Sequence, residues 1–484
     1  MLVQVTIENF LSFREETTFS MVAVSSDQHH ADHLAVDTAG KGRSLLPISA
    51  IYGANAAGKS NLIKAIDFAK DLIVEGTRSS QAILVTPFKL GNNSKKPSKF
   101  EFIFTHHGNL YSYGFKLNAT QIIEEWLYIT PAGKKREVPF FERLTSENKE
   151  TKVEYGSALK GRSKKQEQFL DFITQGTRPN QLFLTEAVDR NVQSVKPVVD
   201  WFRDVLVIIP AESHYEALEF TILNNEQFTK FLSSFLKFAG TGIDSIGKEE
   251  VDLDFDRHFP GMPDSIKEKI IQKFADANEN SIAMLENLTG QRYFLKYGVE
   301  GKLSLIQLRT QHRHENGHLV DFSMEEESEG TQRLINLIPA LFALQENPEI
   351  VILLDELDRR LHPLLSRKFI EIALNCRQKN SQSQLIFTTH DTNLLDLDIM
   401  RRDEIWFVEK NEQGASHICS LAEFKIRPDV QIEKGYLNGR FGAIPFFGDI
   451  RSLGWLDCET ELSDKHDSKH EKTQSNQAPR SSVQ

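Results

Sequence analysis

Residues Leu45 to Ile73 read LLPISAIYGANAAGKSNLIKAIDFAKDLI: a short apolar run, a Gly-rich turn, then an apolar helix-period run. The turn, GANAAGKS from Gly53 to Ser60, fits the phosphate-loop pattern G-x-x-x-x-G-K-[ST] in full, with the strand PISAIY before it and a helix after it. Successive backbone amides in such a loop form an anion-binding nest, and the helix N-terminus adds partial positive charge. Lys59 is placed to reach the β- and γ-phosphates, and the Ser60 hydroxyl to ligate Mg²⁺. A Gly-rich turn that merely closed a strand–helix unit would not account for Lys59 and Ser60 together. The candidate nucleotide-binding residues of this stretch are Gly53, Asn55, Gly58, Lys59, Ser60 and Asn61, with ATP and Mg²⁺ as the expected cofactors.

Working outward, Ile350 to Glu356 read IVILLDE, a buried-strand pattern ending in two acids. At the end of a parallel strand beside a phosphate loop, Asp355 is where Mg²⁺ needs a ligand, and Glu356 is placed to polarise an attacking water. Two acids that only cap the next helix are the plainer reading, and the phosphate loop weighs against it. SQLIFTTHD ends a second apolar strand at His390, whose neutral imidazole can hydrogen-bond a γ-phosphate or the attacking water. A third stretch, ESEGTQR from Glu327 to Arg333, sets a Ser and a Gly at the start of the helix LINLIPALFAL. It is either a plain N-cap or a bare helix terminus meant for an anion.

The 484 residues suffice for two or three compact lobes. Three widely spaced cysteines with no CxxC pair argue against a disulfide framework or a zinc site and point to a reducing cytoplasm. No apolar run is long enough to span a bilayer, and no basic region precedes an apolar one at MLVQVTIENF, so neither a membrane segment nor a signal peptide is expected. A net charge of −11 permits DNA contact without predicting it. The basic clusters at Lys95, Lys96 and Lys99, at Lys134 to Arg136 and at Arg162, Lys164 and Lys165 read better as solvated loops.

Along the chain, LVQVTIENFLSF alternates like a strand or hairpin, and KFEFIFTHHGNLYSYGFKL reads as a hairpin turning at Gly108-Asn109. Residues 130–168 read as charged loop, and Gln168 to Gln291 as mostly helical. The predicted organisation is residues 1–160 as the first part of an α/β head with a β subdomain, 161–295 as a helical insertion, 296–457 as the second part of the head, and 458–484 as a disordered tail. QHRHENGH (Gln311 to His318) reads as a hairpin tip rather than a metal site, and HDSKH in the tail as solvated.

Phosphate loop, long insertion, Ser-x-Gly helix start, strand Asp-Glu and strand-His, in that order, resemble the ABC-type ATPases of the RecF, SMC and OLD superfamily. IENFLSFRE with FSMVA, LLDELDRRLHPLL, IFTTHDTNLLD, RRDEIWFVEK and KGYLNGRFGAIPFF extend the resemblance to the bacterial stand-alone ATP-binding proteins classed as AAA family, type fifteen, RloA- and AriA-like. The resemblance implies an ABC-type P-loop NTPase head with an antiparallel β subdomain. It implies Asp355 as the Walker B acid, Glu356 as catalytic base, His390 as switch histidine, and Leu357-Asp358 as the start of a D-loop at a dimer interface. Ser328 and Gly330 would then contact a γ-phosphate held by a partner protomer, in a homodimer or higher oligomer, although Glu329 stands where a second Gly is usual. It further implies a separately encoded Toprim-like nuclease effector, with DNA or a phage protein as a possible trigger, in anti-phage defence. The alternative is a RecF-like DNA-repair clamp. Gln81 and Arg14 are the candidates for the Q-loop and for a phosphate-reaching arginine.

Overall fold

The computed structural model describes residues 1–36, 42–159, 163–212, 218–275, 282–286, 292–297, 303–375, 377–378, 381–425 and 431–445. The tail expected to be disordered, 458–484, lies outside them, as do Arg162 and the end of the KGYLNGRFGAIPFF stretch.

The apolar strands predicted around the phosphate loop assemble into one six-stranded sheet. Its order is Leu206–Ile209, Val351–Leu354, Gln384–Thr388, Ile48–Tyr52, Ile405–Lys410 and Ser416–Ser420. The first five are parallel and the last is antiparallel to its neighbour. Side chains alternate faces with the period of two that a strand imposes. Ile51, Val351, Leu353, Ile386, Trp406 and Val408 enter one core; Ile48, Ala50, Tyr52, Ile352, Leu354, Leu385, Phe387 and Phe407 enter the other. A parallel sheet covered on both faces reads as continuous apolar runs, which is how IVILL and QLIF appear.

The first core packs helix Lys59–Val74 and a seven-stranded antiparallel sheet against the central sheet. Leu2–Glu8 lies between Ser98–His106 and Thr17–Ser20 in that second sheet. The second core packs helices Glu329–Glu346 and Pro363–Asn375 on the opposite face. A helix–sheet head with an antiparallel subdomain is the architecture expected for an ABC-type ATPase.

Several expectations need correction. The 130–168 stretch carries two strands, Val138–Thr145 and Thr151–Tyr155, paired with each other, the first also with Ile122–Thr130. Arg143 is buried and Leu144 exposed, the reverse of what their polarity suggests, while Lys152 and Glu154 face solvent, which hid the alternation. The hairpin turns on His107-Gly108, both at positive φ, one residue before the predicted pair. The region expected to be a helical insertion holds helices but also strands. Leu206–Ile209 is the edge strand of the central sheet, and Ile243–Asp252 joins a five-stranded antiparallel sheet with Leu303–Arg313. SIAMLENL, read as helix, contains the strand Ile282–Glu286. Helical pattern runs straight through Trp201–Val205 into Leu206 without a Gly or Pro to mark the change.

A buried ion pair joins the antiparallel sheet to the helices after it. Glu125 and Arg143 are fully buried and 3.2 Å apart. Glu125 also accepts from Tyr113 Oη and from the amides of Phe183 and Leu184, the first turn of helix Phe183–Asp189. Truncating one member of such a pair strands the other charge, so Glu125→Ala is expected to lower unfolding free energy by about 3–5 kcal/mol in denaturant titration. A loss under about 1 kcal/mol would mean that the junction is held by packing alone.

Candidate nucleotide site

The phosphate loop leaves the carboxyl end of Ile48–Tyr52, flanked by the ends of Gln384–Thr388 and Ile405–Lys410, the edge at which open parallel sheets bind ligands. Two of its glycines answer to measurable constraints. A Cβ on Gly53 would stand 2.4 Å from the Val408 carbonyl oxygen, a backbone atom that cannot swing aside. Gly58 has φ +121° and lies against the hydroxyls of Ser416 and Ser12. Asn55 is exposed at the mouth of the loop.

Lys59 is buried and folds back over the loop, donating to the Gly53 carbonyl at 2.9 Å and the Ala54 carbonyl at 3.3 Å. Its Nζ also stands 2.9 Å from His390 Nε2. An ammonium can only donate there, so His390 is the neutral Nδ1–H tautomer. Burial, and then the charge of Lys59, hold the imidazole below its usual range, consistent with that tautomer.

Ser60 Oγ donates to Asp355 Oδ1 at 3.1 Å, and Thr388 Oγ1 donates to the same oxygen at 2.5 Å. Thr388 Oγ1 in turn accepts from the Glu356 amide at 2.7 Å. Glu356 has φ +52°, a sparsely populated conformation for a side chain of its size. Arg333, on the ESEGTQR helix, donates to the carbonyls of Asp355 and Glu356 at 3.2 and 3.1 Å, and Leu357 N donates to the Thr388 carbonyl. Together these bonds over-determine the turn. Among the described residues the Glu356 carboxylate keeps only a long contact, 3.4 Å, to Arg359 Nη1.

Lys59, Ser60, Asp355, Glu356 and His390 thus converge, from three segments, on one sheet edge. Four other predicted residues are placed differently. The Asn61 amide donates to Ser12 Oγ at 2.8 Å, tying the phosphate-loop helix to the first hairpin rather than pointing into the loop. The Asp358 carboxylate accepts from the His390 amide at 3.2 Å, so within the chain it steadies the histidine turn. Ser328 is exposed and caps its own helix, accepting from Thr331 N at 3.1 Å. A Cβ on Gly330 would meet the Arg360 carbonyl oxygen at 2.9 Å, so that glycine has a packing reason inside the chain. Glu329, where a second Gly was expected, pairs with Arg360 Nε at 3.2 Å. Arg14 is engaged by Glu15 and Gln413, and Gln81 is exposed with its carbonyl accepting from Asn180. QHRHENGH forms the hairpin tip between Leu303–Arg313 and Leu319–Ser323, and His312 Nε2 meets Glu327 at 2.7 Å.

Thr388 and Arg333 were not foreseen. Thr388 is signalled only by the polar pair that ends an apolar strand, and Arg333 by a charge on the buried side of a helix.

A buried cation facing acids makes a pH prediction. Burial lowers Lys59 from 10.5 to about 8, against the opposing pull of Asp355, Glu356 and Asp358. Above about pH 8 the unliganded lysine loses its proton, whereas a bound phosphate restores it. Nucleotide binding is therefore expected to take up a proton, with affinity falling up to about tenfold per pH unit above that point. Between about 8 and 10.5 the unfolded chain binds more protons than the native one, so the unliganded fold gains stability from this group over the same window. Calorimetry in buffers of different ionisation heat measures the uptake; none at pH 8.5 to 9 would place Lys59 away from the phosphates.

An anion-binding loop, a convergent serine and acid, and a strand-end histidine define a phosphate-loop nucleotide-binding protein. The chain belongs to the family described as "AAA domain, putative AbiEii toxin, Type IV TA system", whose match covers residues 48–396. No curated protein matches it. Among solved structures it is similar to the Smc head bound to the C-winged helix domain of ScpA, at 14% identity and a TM-score of 0.37 over 90% of this chain and 99% of that one. It is also similar to the SMC head domain from Thermotoga maritima, at 14% identity and 0.34 over 88% and 99%. A third is the Smc head domain with an extended coiled coil bound to the C-terminal domain of ScpA derived from Pyrococcus furiosus, at 13% identity and 0.32 over 91% and 98%. Among the described residues no helix is long and apolar enough to cross a membrane.

Proposed function

We propose that the chain is an ATP-operated switch that hydrolyses ATP at composite sites between two copies of itself. In this reading the amides from Gly53 to Gly58 and Lys59 hold the phosphates. Ser60 and Asp355 offer the hard oxygen donors that suit Mg²⁺, which would neutralise charge on the β- and γ-oxygens. Glu356 takes the proton of the attacking water, and His390 orients it. Ser328 and the bare helix start behind it complete the site on the partner's γ-phosphate.

The observation that carries the composite reading is the division of labour in one chain. Lys59 is already hydrogen-bonded to His390, and Ser60 and Thr388 to Asp355. Ser328, exposed, bonds only within its own helix start among the described residues. Arg333, one turn further along that helix, reaches back to the Asp355–Glu356 turn and so links the exposed face to the chemistry of its own protomer. ATP-driven association, followed as mass by light scattering, tests it. A rise to at least a dimer with ATP·Mg²⁺ supports it, and an unchanged monomer at saturating ATP overturns it.

The biological use follows the RloA- and AriA-like resemblance: control of a separately encoded, nuclease-type effector in phage defence, inside the cell. The toxin–antitoxin wording of the family description fits a chain that acts with a partner. Co-purification with the neighbouring gene products, with and without ATP, tests this part.

A further inference from the structure

The polar loop Asp27 to His33, DQHHADH, takes no part in the nucleotide site, yet it is built with care. His30 has φ +46° and begins the short 3₁₀ helix Ala31–His33. Side chains three apart eclipse on such a turn, and the His30 and His33 rings stack at 4.7 Å and 16°. Each ring has one nitrogen fixed by a protein acceptor. His30 Nε2 meets the Leu397 carbonyl at 2.8 Å, which obliges it to carry the proton and leaves Nδ1 as a lone pair. His33 Nδ1 meets the carboxylate of Glu404, fully buried, at 3.1 Å, which leaves Nε2. One ligand atom from each of His30, Asp32 and His33 lies within 4.8 Å of the others.

We propose that His30, Asp32 and His33 form a divalent transition-metal site of the zinc type, with a water in the fourth position. Three protein ligands of this chemistry suit Zn²⁺, whose binding would draw them to the roughly 3.4 Å edge of a tetrahedron with bonds of about 2.0–2.1 Å. Glu404 and the Leu397 carbonyl are the outer partners that set tautomer and ring orientation in histidine-ligated sites. The site sits at the amino end of the central strands, since the Glu404 carbonyl accepts from Ser49 Oγ and Ile405 pairs with Ala50. The phosphate loop leaves the opposite end. The metal would therefore stiffen the loop, which Asp27 already ties to Arg402, and would take no part in phosphate chemistry.

Titration of the chelator-stripped full-length protein with Co²⁺, read by its visible d–d absorption and competed with Zn²⁺, decides the matter. The expected result is one tetrahedral Co²⁺ per chain, displaced by Zn²⁺. Glu404→Gln should weaken it by about 10–100-fold, and the His30→Ala, His33→Ala pair should abolish it. Asp32 is exposed, so Asp32→Asn leaves the fold untouched and should weaken binding by at least about tenfold. Absence of a tetrahedral band overturns the proposal. So does a band that survives the double substitution, which would assign the ion to other histidines, such as His314 and His318 at the hairpin tip or those of the tail.

Discussion

Glu356→Gln is expected to bind ATP with wild-type affinity while hydrolysing it about 10²–10⁴ times more slowly. The substitution keeps size and shape and removes only the capacity to take a proton. The turn that aims residue 356 does not depend on its carboxylate. It is fixed by Thr388 Oγ1 on the Glu356 amide, by Arg333 on two carbonyls, and by the Thr388 carbonyl on Leu357 N. The positive φ of Glu356 therefore survives the change, and no loss of stability beyond about 0.5 kcal/mol is expected. With hydrolysis blocked, the ATP-bound assembly should accumulate. Single-turnover hydrolysis beside equilibrium nucleotide binding separates the two effects. A variant that hydrolyses at more than about a tenth of the wild-type rate would remove Glu356 from the role of base.

Ser328→Arg carries the second large effect. Ser328 is exposed and its in-chain work is one cap on helix Glu329–Glu346, so the fold should lose no more than about 2 kcal/mol. The phosphate loop of the same protomer is untouched, and ATP affinity of the isolated chain should change little. A bulky cation placed over the helix start should nevertheless block approach of a partner's nucleotide and reduce turnover to background. The in-chain packing reason for Gly330 and the Glu329–Arg360 pair make this test necessary, because each is also what a merely well-built helix start would show.

The parts of the site that were legible in the sequence are those whose chemistry is contiguous. GANAAGKS carries its spacing, glycines and cation in eight residues, and IVILLDE and SQLIFTTHD end apolar strands in polar groups that a plain strand would not need. Leu206–Ile209 was hidden because a helix feeds it without punctuation, and Ile243–Asp252 because its charges face solvent and pair across the strand, as Glu249 does with Arg309. The placements of Asn61, Asp358 and Arg333 depend on which segments meet in three dimensions, and no local pattern records that. The partner proposed for Ser328 would be of the same kind one level up.

The composite site is tested most directly by mixing two inactive variants, Lys59→Ala and Ser328→Arg, once subunit exchange has been shown. In a two-fold dimer each site draws its phosphate loop from one chain and its helix start from the other. One of the two sites in every mixed dimer is then intact, and an equal mixture should recover about a quarter of wild-type ATPase activity. No recovery despite proven exchange would contradict the account, and would leave ESEGTQR the capped start of a helix.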